Sequence, residues 1–213
     1  MPAGVVFLSV DVESDPGRAD RIFRIGAVRS DREAALDVAV ARSSRETVVR
    51  RLNEFAAGAD IVAGHNLRRH DLPALVGQFS GLALRELPVV DTLELSPLAF
   101  PRNPYHRLIK GYKIVSECRN DPVNDARLAL ALLADELREF GRLQLADPGW
   151  LDVLHCLLRD DPALDRLLRQ IRGAPSPSPG DAGLHVREDF AGLCCATRLE
   201  RLASENFAGA GAG

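Results

Sequence analysis

The sequence has no long hydrophobic run, and none of its apolar stretches approaches the length of a membrane-spanning helix. The short run at residues 4–8 has neither the charged lead nor the length of a signal peptide. A phosphate loop of the form G-x-x-x-x-G-K-[ST] is also missing, which excludes an ATP-driven motor within these 213 residues. We therefore expect a cytoplasmic protein with no membrane partner.

Cysteine is scarce, and its spacing is not that of a metal site. The four cysteines form no C-x-x-C pair, and the adjacent Cys194 and Cys195 are poorly placed to bond each other. We interpret all four as reduced structural thiols rather than as zinc ligands.

Excess positive charge is missing as well. The net charge is −3 and the isoelectric point is about 6.0. A protein that coats DNA by electrostatics alone would be basic, so any contact with nucleic acid must be local and metal-assisted.

The remaining composition is that of a soluble globular protein, with 46% hydrophobic and 27% charged residues. Hydrophobic patterning predicts five strands and several amphipathic helices along the chain. The predicted strands lie at 4–13, 21–29, 35–41, 61–63 and 88–92, and the longest predicted helix begins near Asn124. A segment rich in Pro and Ser at 173–181 reads as a linker.

Two carboxylates end the first predicted strand. Side chains alternate along a strand, so Asp11 and Glu13 share one face while Val10 and Val12 face a core. Two neighbouring acids at the end of a hydrophobic strand repel each other, and a bound cation offsets that cost. The alternative is a strand that ends in solvent, where acids are common.

Two further carboxylates lie at predicted helix starts. Asp71 follows the strand at 61–63, and Asp125 lies in the first turns of the long helix. A carboxylate in a first turn is favoured by the helix dipole, so Asp71 taken singly could be a cap. Beside Asp11 and Glu13, however, these helix starts can deliver more carboxylates to the same edge of a sheet.

Together these four acids have the composition of a two-metal phosphodiester site. Two Mg²⁺ or Mn²⁺ ions about 3.5–4 Å apart activate a water and stabilise the leaving oxygen. Such hard cations prefer oxygen ligands, and no cluster of His or Cys competes for zinc. The predicted metal ligands and catalytic residues are Asp11, Glu13, Asp71 and Asp125.

Three segments, in order, resemble the DEDD superfamily of 3′–5′ exonucleases: V-D-V-E at 10–13, G-H-N-L-R-R-H-D-L-P at 64–73 and N-D-P-V-N-D-A at 120–126. The resemblance implies a ribonuclease H-like α/β fold, a mixed sheet of three antiparallel strands followed by parallel strands, flanked by helices. It also implies an exonuclease domain at 1–143. From composition we expect a helical extension at 144–173 and a linker with a largely unstructured tail at 174–213.

The third motif departs from the family pattern. One branch of the family has His five residues before the last aspartate, and another has Tyr four before it; here these positions hold Asn120 and Asp121. Asn120 can hydrogen-bond the attacking water but cannot take its proton, and losing a general base costs about 10²–10⁴-fold in rate. Asp121, His70 or His106 are alternative bases. The resemblance therefore implies an enzyme of reduced activity.

Substrate contacts are predicted around the same motifs. Ser14 and Asn66 are expected to steady the terminal nucleotide. The loop at 97–113 combines basic residues with tyrosines, which suits phosphate contacts and base stacking, although a solvated connection has the same composition. Its predicted substrate-binding residues are His106, Arg107 and Lys110, and the expected partner is a 3′ end of single-stranded DNA or, less favoured, RNA.

The runs P-Y-H-R-L-I-K-G-Y-K at 104–113 and R-N-D-P-V-N-D-A at 119–126 also resemble exonuclease-like modules at the front of bacterial RecQ-type helicases. This resemblance implies a longer parent chain that carries a helicase domain. It also leaves open a second function, in which the module binds nucleic acid or docks within a repair protein without cleaving anything.

Overall fold

The computed structural model describes residues 1–15, 17–103, 121–193 and 195–207. Each predicted strand is present. The strands are β1 (Phe7–Asp15), β2 (Arg18–Arg29), β3 (Arg32–Ala39), β4 (Ile61–Gly64) and β5 (Val89–Asp91). The α-helices of the described residues are α1 (Arg45–Ala56), α2 (Asp71–Gln78), α3 (Thr92–Ala99), α4 (Pro122–Ala146), α5 (Pro148–Leu158), α6 (Pro162–Arg172), α7 (Pro179–Asp189) and α8 (Ala196–Phe207).

The strands form one mixed sheet in the order β3-β2-β1-β4-β5. β1, β2 and β3 pair antiparallel, and Asp11 lies opposite Gly26 in the register of β1 and β2. β4 pairs parallel to β1, and β5 pairs parallel to β4. The predicted combination of three antiparallel strands followed by parallel strands is confirmed, as are the flanking helices and the helical C-terminal part.

The two faces of β1 have different surroundings. Leu8, Val10 and Val12 lie in a buried core that includes Leu52 of α1 and Leu75 of α2. Their alternation places Asp11 and Glu13 on the opposite face.

That opposite face is covered by the start of α4. Val28 of β2 packs there against Val123, Ala126 and Leu130. The sheet therefore places the two acids of β1 on the face where α4 begins.

Four helices begin at an acidic residue or serine followed by proline. Proline suits the first helical position because that N–H has no partner within the helix. Asp147 caps α5 by accepting from the Trp150 amide at 3.2 Å, and Asp161 caps α6 by accepting from the amides of Ala163 and Leu164 at 2.9 and 3.1 Å. The four dipeptides are Asp121-Pro122, Asp147-Pro148, Asp161-Pro162 and Ser178-Pro179.

The chain divides into two units, the first comprising Ala3–Glu136 and the second beginning at Leu137. The second unit has its own small core, in which Val153 and Cys156 of α5 meet Ala182 of α7, with Trp150 and Phe207 packed against them. Within the described residues, no helix combines the length and hydrophobicity that a membrane crossing requires.

The segment predicted as a linker and a largely unstructured tail, 174–213, contains α7 and α8 instead. The proline spacing misled the prediction, because Ser178 and Pro179 begin a helix: Ser178 Oγ accepts from the Gly180 amide at 3.1 Å. Ser176 is also held, because its hydroxyl donates to Asp165 Oδ1 at 2.7 Å. The Ser178-Pro179 pair therefore acts as a helix start.

A buried acid lies three turns beyond Asp125 on α4. Glu136 is fully buried, and its Oε1 accepts a hydrogen bond from Ser96 Oγ at 2.5 Å. Its Oε2 has no hydrogen-bond partner among the described residues. Burial, aided by the charges of Asp91 and Asp135 and opposed by the hydrogen bond from Ser96, raises the pKa of Glu136 from 4.5 to about 8. The folded protein therefore holds this side chain protonated at neutral pH.

We expect the Glu136→Gln variant to lose part of the pH dependence of stability. The unfolded carboxyl ionises near pH 4.5 and the folded one near pH 8. The contribution of Glu136 to the free energy of unfolding is therefore fully present below pH 4.5. It is lost as the pH rises toward 8, by an amount on the order of 4 kcal/mol. Gln carries no charge, so the variant should match the unchanged chain near pH 5 and exceed it at pH 8. Denaturant midpoints at the two pH values measure the difference.

The matched control is Glu139→Gln, which removes a carboxylate from the same helix at a site that is paired with Arg142 and partly exposed. The stability of this control should depend on pH as steeply as that of the unchanged chain. Equal slopes in all three proteins would contradict a protonated Glu136.

Candidate metal-binding site

β1 supplies two of the predicted ligands. Asp11 and Glu13 are half-buried and lie two residues apart, so their side chains leave the strand on the same side. The register of β1 and β2 shifts after Glu13, at a bulge that involves Ser14. A bulge bends the strand and ends regular pairing directly beyond the two acids.

The first turn of α4 supplies the third carboxylate. The Asp125 amide donates to the Asp121 carbonyl oxygen at 3.0 Å, which closes that turn. Asp125 is only 7% exposed. The helix start lies against Gly26, where an added Cβ would come within 2.2 Å of the Pro122 carbonyl carbon. Because Gly26 pairs with Asp11, this contact positions Asp125 beside the acids of β1.

The structure brings Asp11, Glu13 and Asp125 together. One carboxylate oxygen from each lies within 4.8 Å of the other two. At that separation, two charges repel by roughly 3 kcal/mol if the effective dielectric constant is about 20. A divalent cation among the three oxygens would remove this repulsion. The cluster could therefore hold a metal ion.

Asp71, the fourth predicted ligand, borders this cluster without belonging to the 4.8 Å group. It is 4% exposed in the first turn of α2, and its Oδ1 accepts a hydrogen bond from the Val12 amide at 3.1 Å. Val12 lies between Asp11 and Glu13 in the chain. Burial raises the pKa of Asp71 to about 6, although the bond from Val12 opposes the rise.

One cation lies close to the cluster. Arg24 is opposite Glu13 in the β1–β2 register, and its Nη2 is 3.7 Å from Asp121 Oδ1. Its guanidinium also donates to both carboxylate oxygens of Asp37, at 2.9 and 2.6 Å. The bond to Asp37 is the main reason why the pKa of Arg24 is raised. Arg24 is thus shared among several acids and offsets the charge of the three-carboxylate cluster only in part.

The loop between β4 and α2 is organised by a residue that the sequence motifs do not single out. Asp91 is buried at the end of β5, where its carboxylate accepts from the amides of Asn66 and Arg68 at 2.8 and 3.0 Å. Asn66 has a φ of 63°, in the left-handed region. The His65 ring contacts Thr92 Oγ1 at 2.9 Å, and burial lowers the pKa of His65.

Two predicted nucleotide contacts lie in the described part of the chain, and both are partly exposed. Asn66 lies on the β4–α2 loop, and Ser14 lies at the bulge of β1. The other predicted contacts, and the general-base position, lie outside the described residues. These are Asn120, His106, Arg107 and Lys110.

Two residues that shape the site were not identified from the sequence. Gly26 interrupts an otherwise regular strand, and a glycine at such a position signals close approach of another backbone. Asp91 directly precedes Thr92, the first residue of α3, and Asp in that place is the pattern of an N-cap. Its carboxylate accepts from the Leu93 amide at 3.0 Å, as a cap does, in addition to holding the β4–α2 loop. Both signals were present in local sequence.

Comparison with known proteins adds little to this geometry. No family model matches the chain, and no curated protein matches it. Among solved structures, it is similar to the family B DNA polymerase from the hyperthermophilic archaeon Pyrobaculum calidifontis, with a TM-score of 0.37 and 18% sequence identity. The similarity covers 89% of this chain and 30% of the polymerase chain, so this chain spans less than a third of that protein.

Proposed function

We propose that this chain is a metal-dependent 3′–5′ exonuclease with a ribonuclease H-like fold. The observation that carries the proposal is the convergence of Asp11, Glu13 and Asp125, from a strand and a helix distant in sequence, within 4.8 Å. The sheet order β3-β2-β1-β4-β5, with β4 and β5 parallel to β1, supports the fold assignment. The resemblance of the three sequence motifs to those of 3′–5′ exonucleases supports the direction of cleavage, and the proposed substrate is the 3′ end of a single strand, with DNA favoured and RNA possible.

The donor set fits two Mg²⁺ or Mn²⁺ ions. It consists of carboxylate oxygens, which hard divalent cations prefer, and the mutual repulsion of the three acids favours a bound cation. Asp11, Glu13 and Asp125 would hold the ions together with Asp71. When bound, they would supply an activated water and charge stabilisation for phosphodiester hydrolysis.

The protein side chains orient this site before any substrate arrives. Asp71 accepts from the Val12 amide and so ties the start of α2 to the strand that carries Asp11 and Glu13. Gly26 lets the α4 backbone approach β2, which positions Asp125. Arg24 places positive charge beside Glu13, where a substrate phosphate would need it. Ser14 and Asn66 are proposed to contact the terminal nucleotide, and His106, Arg107 and Lys110 its phosphates.

The test is a degradation assay with Mn²⁺ on a 5′-labelled single strand. An exonuclease that starts from the 3′ end produces a ladder of progressively shorter labelled products, and EDTA abolishes it. A circular single strand should resist, because it has no end, and a 3′-phosphorothioate linkage should delay the first cut. Parallel DNA and RNA strands identify the preferred substrate. Cleavage of the circle would contradict an exonuclease, and absence of any ladder would contradict turnover.

A second function is favoured by one sequence observation. Asn120 occupies the position of the family histidine and cannot accept a proton from water. A chain that had lost turnover would bind the labelled strand, measured by anisotropy, and produce no ladder at any Mn²⁺ concentration. In that case the chain is a nucleic-acid-binding or docking module of a helicase or repair protein.

We expect Asn120→His to raise the cleavage rate by about 10²-fold, because a general base typically contributes 10²–10⁴-fold. The gain should be largest at pH values above the histidine pKa, where the imidazole is neutral. Single-turnover rates for both proteins between pH 6 and pH 9 measure it. An unchanged rate would show that the missing base does not limit turnover.

A further inference from the structure

A second group of metal-ligating side chains lies in the unit that begins at Leu137. Asp147 precedes α5, while His185 and Asp189 lie one turn apart on α7. One ligand atom from each of the three residues lies within 4.8 Å of the other two. These side chains come from two helices that pack together through Val153, Cys156 and Ala182. The group is therefore formed by tertiary structure and not by one local run of acids.

The distances within this group suit an ion better than direct hydrogen bonds. His185 Nε2 is 3.5 Å from Asp147 Oδ1 and 3.7 Å from Asp189 Oδ2. Hydrogen bonds between such atoms normally measure about 2.7–3.2 Å. Ligands bound tetrahedrally at about 2.0–2.1 Å from a zinc ion are separated by roughly 3.4 Å. The observed separations are close to that second value.

The His185 nitrogen between the carboxylates is an independent sign of a ligand. His185 Nε2 is a buried atom, and among the described residues it has no hydrogen-bond partner. A buried polar atom without a partner costs about 1–3 kcal/mol. Coordination of a metal through Nε2 would remove that cost, since Nε2 is the ring nitrogen within 4 Å of both Asp147 Oδ1 and Asp189 Oδ2.

The surrounding residues hold the ligands in place. The His185 ring lies against the backbone of Gly149, where an added Cβ would come within 2.5 Å of the ring. Trp150 packs edge-on against the same ring, with centroids 5.6 Å apart. The Trp150 indole also donates to Asp189 Oδ2 at 2.5 Å. Hydrogen bonds of this kind orient metal ligands and strengthen binding.

The donor set identifies the class of metal. One imidazole nitrogen with two carboxylate oxygens suits zinc, whereas Mg²⁺ and Ca²⁺ prefer oxygen ligands alone. Three protein ligands leave a fourth tetrahedral position for water. We propose that Asp147, His185 and Asp189 bind a zinc ion that joins the start of α5 to α7. This site is separate from the oxygen-only cluster of Asp11, Glu13 and Asp125, and it does not depend on the proposed nuclease activity.

The chain contains its own reporter for this site, because Trp150 is its only tryptophan. Titrating the full-length, tag-free protein with Zn²⁺ should change the tryptophan fluorescence with a stoichiometry of one, and EDTA should reverse the change. Co²⁺ is the second probe, since a tetrahedral site gives it much stronger visible absorption than the hydrated ion has. Mg²⁺ should produce neither signal.

Three variants and two controls make the assignment specific. His185→Gln and Asp189→Asn each remove one ligand and should weaken Zn²⁺ binding by about 100-fold or more, exceeding the loss typical of outer-shell changes. Gly149→Ala keeps all three ligands but displaces the His185 ring, and it should also weaken binding. Glu188→Gln removes the neighbouring exposed carboxylate and should bind normally, as should Asp11→Asn.

Zn²⁺ should also raise the melting temperature of the unchanged protein and of both controls, but not that of His185→Gln, because a ligand that binds only the folded state stabilises it. The proposal is overturned if the unchanged protein binds no Zn²⁺ up to millimolar concentration. It is equally overturned if Asp189→Asn and His185→Gln keep the affinity of Glu188→Gln.

Discussion

Replacing Asp11 with Asn should reduce metal-dependent cleavage of a single strand by at least about 1000-fold, which corresponds to about 4 kcal/mol of transition-state stabilisation. Asp11 is the member of the carboxylate cluster that lies opposite Gly26, directly beside the start of α4. Asn keeps the size of the side chain and removes its charge, so the cluster would lose a principal cation ligand. Single-turnover rates with Mn²⁺, together with calorimetric Mn²⁺ titration, measure both consequences.

Stability distinguishes this effect from misfolding. Removing one of three mutually repelling carboxylates should leave the metal-free Asp11→Asn protein at least as stable as the unchanged chain, while Mn²⁺ should no longer stabilise it. The matched control is Asp15→Asn, on the same strand but outside the cluster, where the carboxylate accepts from the Gly17 amide at 3.0 Å. It should cleave within about twofold of the unchanged rate. An equal loss of cleavage rate in Asp11→Asn and Asp15→Asn would contradict the assignment of the metal site.

Adding a single methyl group at Gly26 should disrupt both the site and the fold. The Cβ of Gly26→Ala would lie 2.2 Å from the Pro122 carbonyl carbon and 2.3 Å from the Val123 nitrogen. Both atoms belong to the backbone, so no side-chain rotation relieves the clash and the start of α4 must move by about 1 Å or more. Such overpacking costs on the order of 3 kcal/mol. Asp125 moves with the helix, and a displacement of this size can reduce the rate by about 10²-fold.

Gly141→Ala is the control for this substitution. Gly141 lies on the same helix, and a Cβ there meets no atom within 4 Å. Because glycine is a poor helix former, this variant should gain about 1 kcal/mol of stability. The melting temperatures of the two variants should shift in opposite directions, whereas Mn²⁺ affinity and cleavage rate should fall in Gly26→Ala and stay unchanged in Gly141→Ala. Unchanged activity and stability in Gly26→Ala would contradict the role given to this contact.

Local pattern was sufficient to locate the strands and the acids of β1, whereas the mixed arrangement of the sheet was expected from the resemblance to the exonuclease family. Apolar runs bounded by turns located each strand, and strict alternation placed Asp11 and Glu13 on one side. The helix that carries Asp125 was also predicted, with a start near Asn124, two residues after its actual start at Pro122. Alternation could not predict how close Asp125 comes to the acids of β1, because the approach of α4 to the sheet depends on the absence of a side chain at Gly26.

Features that depend on contacts between distant residues escaped prediction. Nothing around Glu136 in the sequence indicates burial of its carboxyl, because the partner, Ser96, lies forty residues earlier. The spacing of His185 and Asp189 shows that they share a helix face, but Asp147 joins them only through packing of α5 on α7. The tail was misjudged for a different reason, since composition cannot separate a flexible Pro-Ser linker from a capped helix start.

The protonated Glu136 also has a calorimetric consequence. At pH 7 the folded side chain carries a proton that the unfolded chain releases, so unfolding sends about one proton from this residue into the buffer. The heat absorbed on melting therefore includes the enthalpy with which the buffer takes up that proton. Melts in phosphate and in Tris should differ by that amount, and the difference reports directly on a carboxyl that no solvent molecule touches.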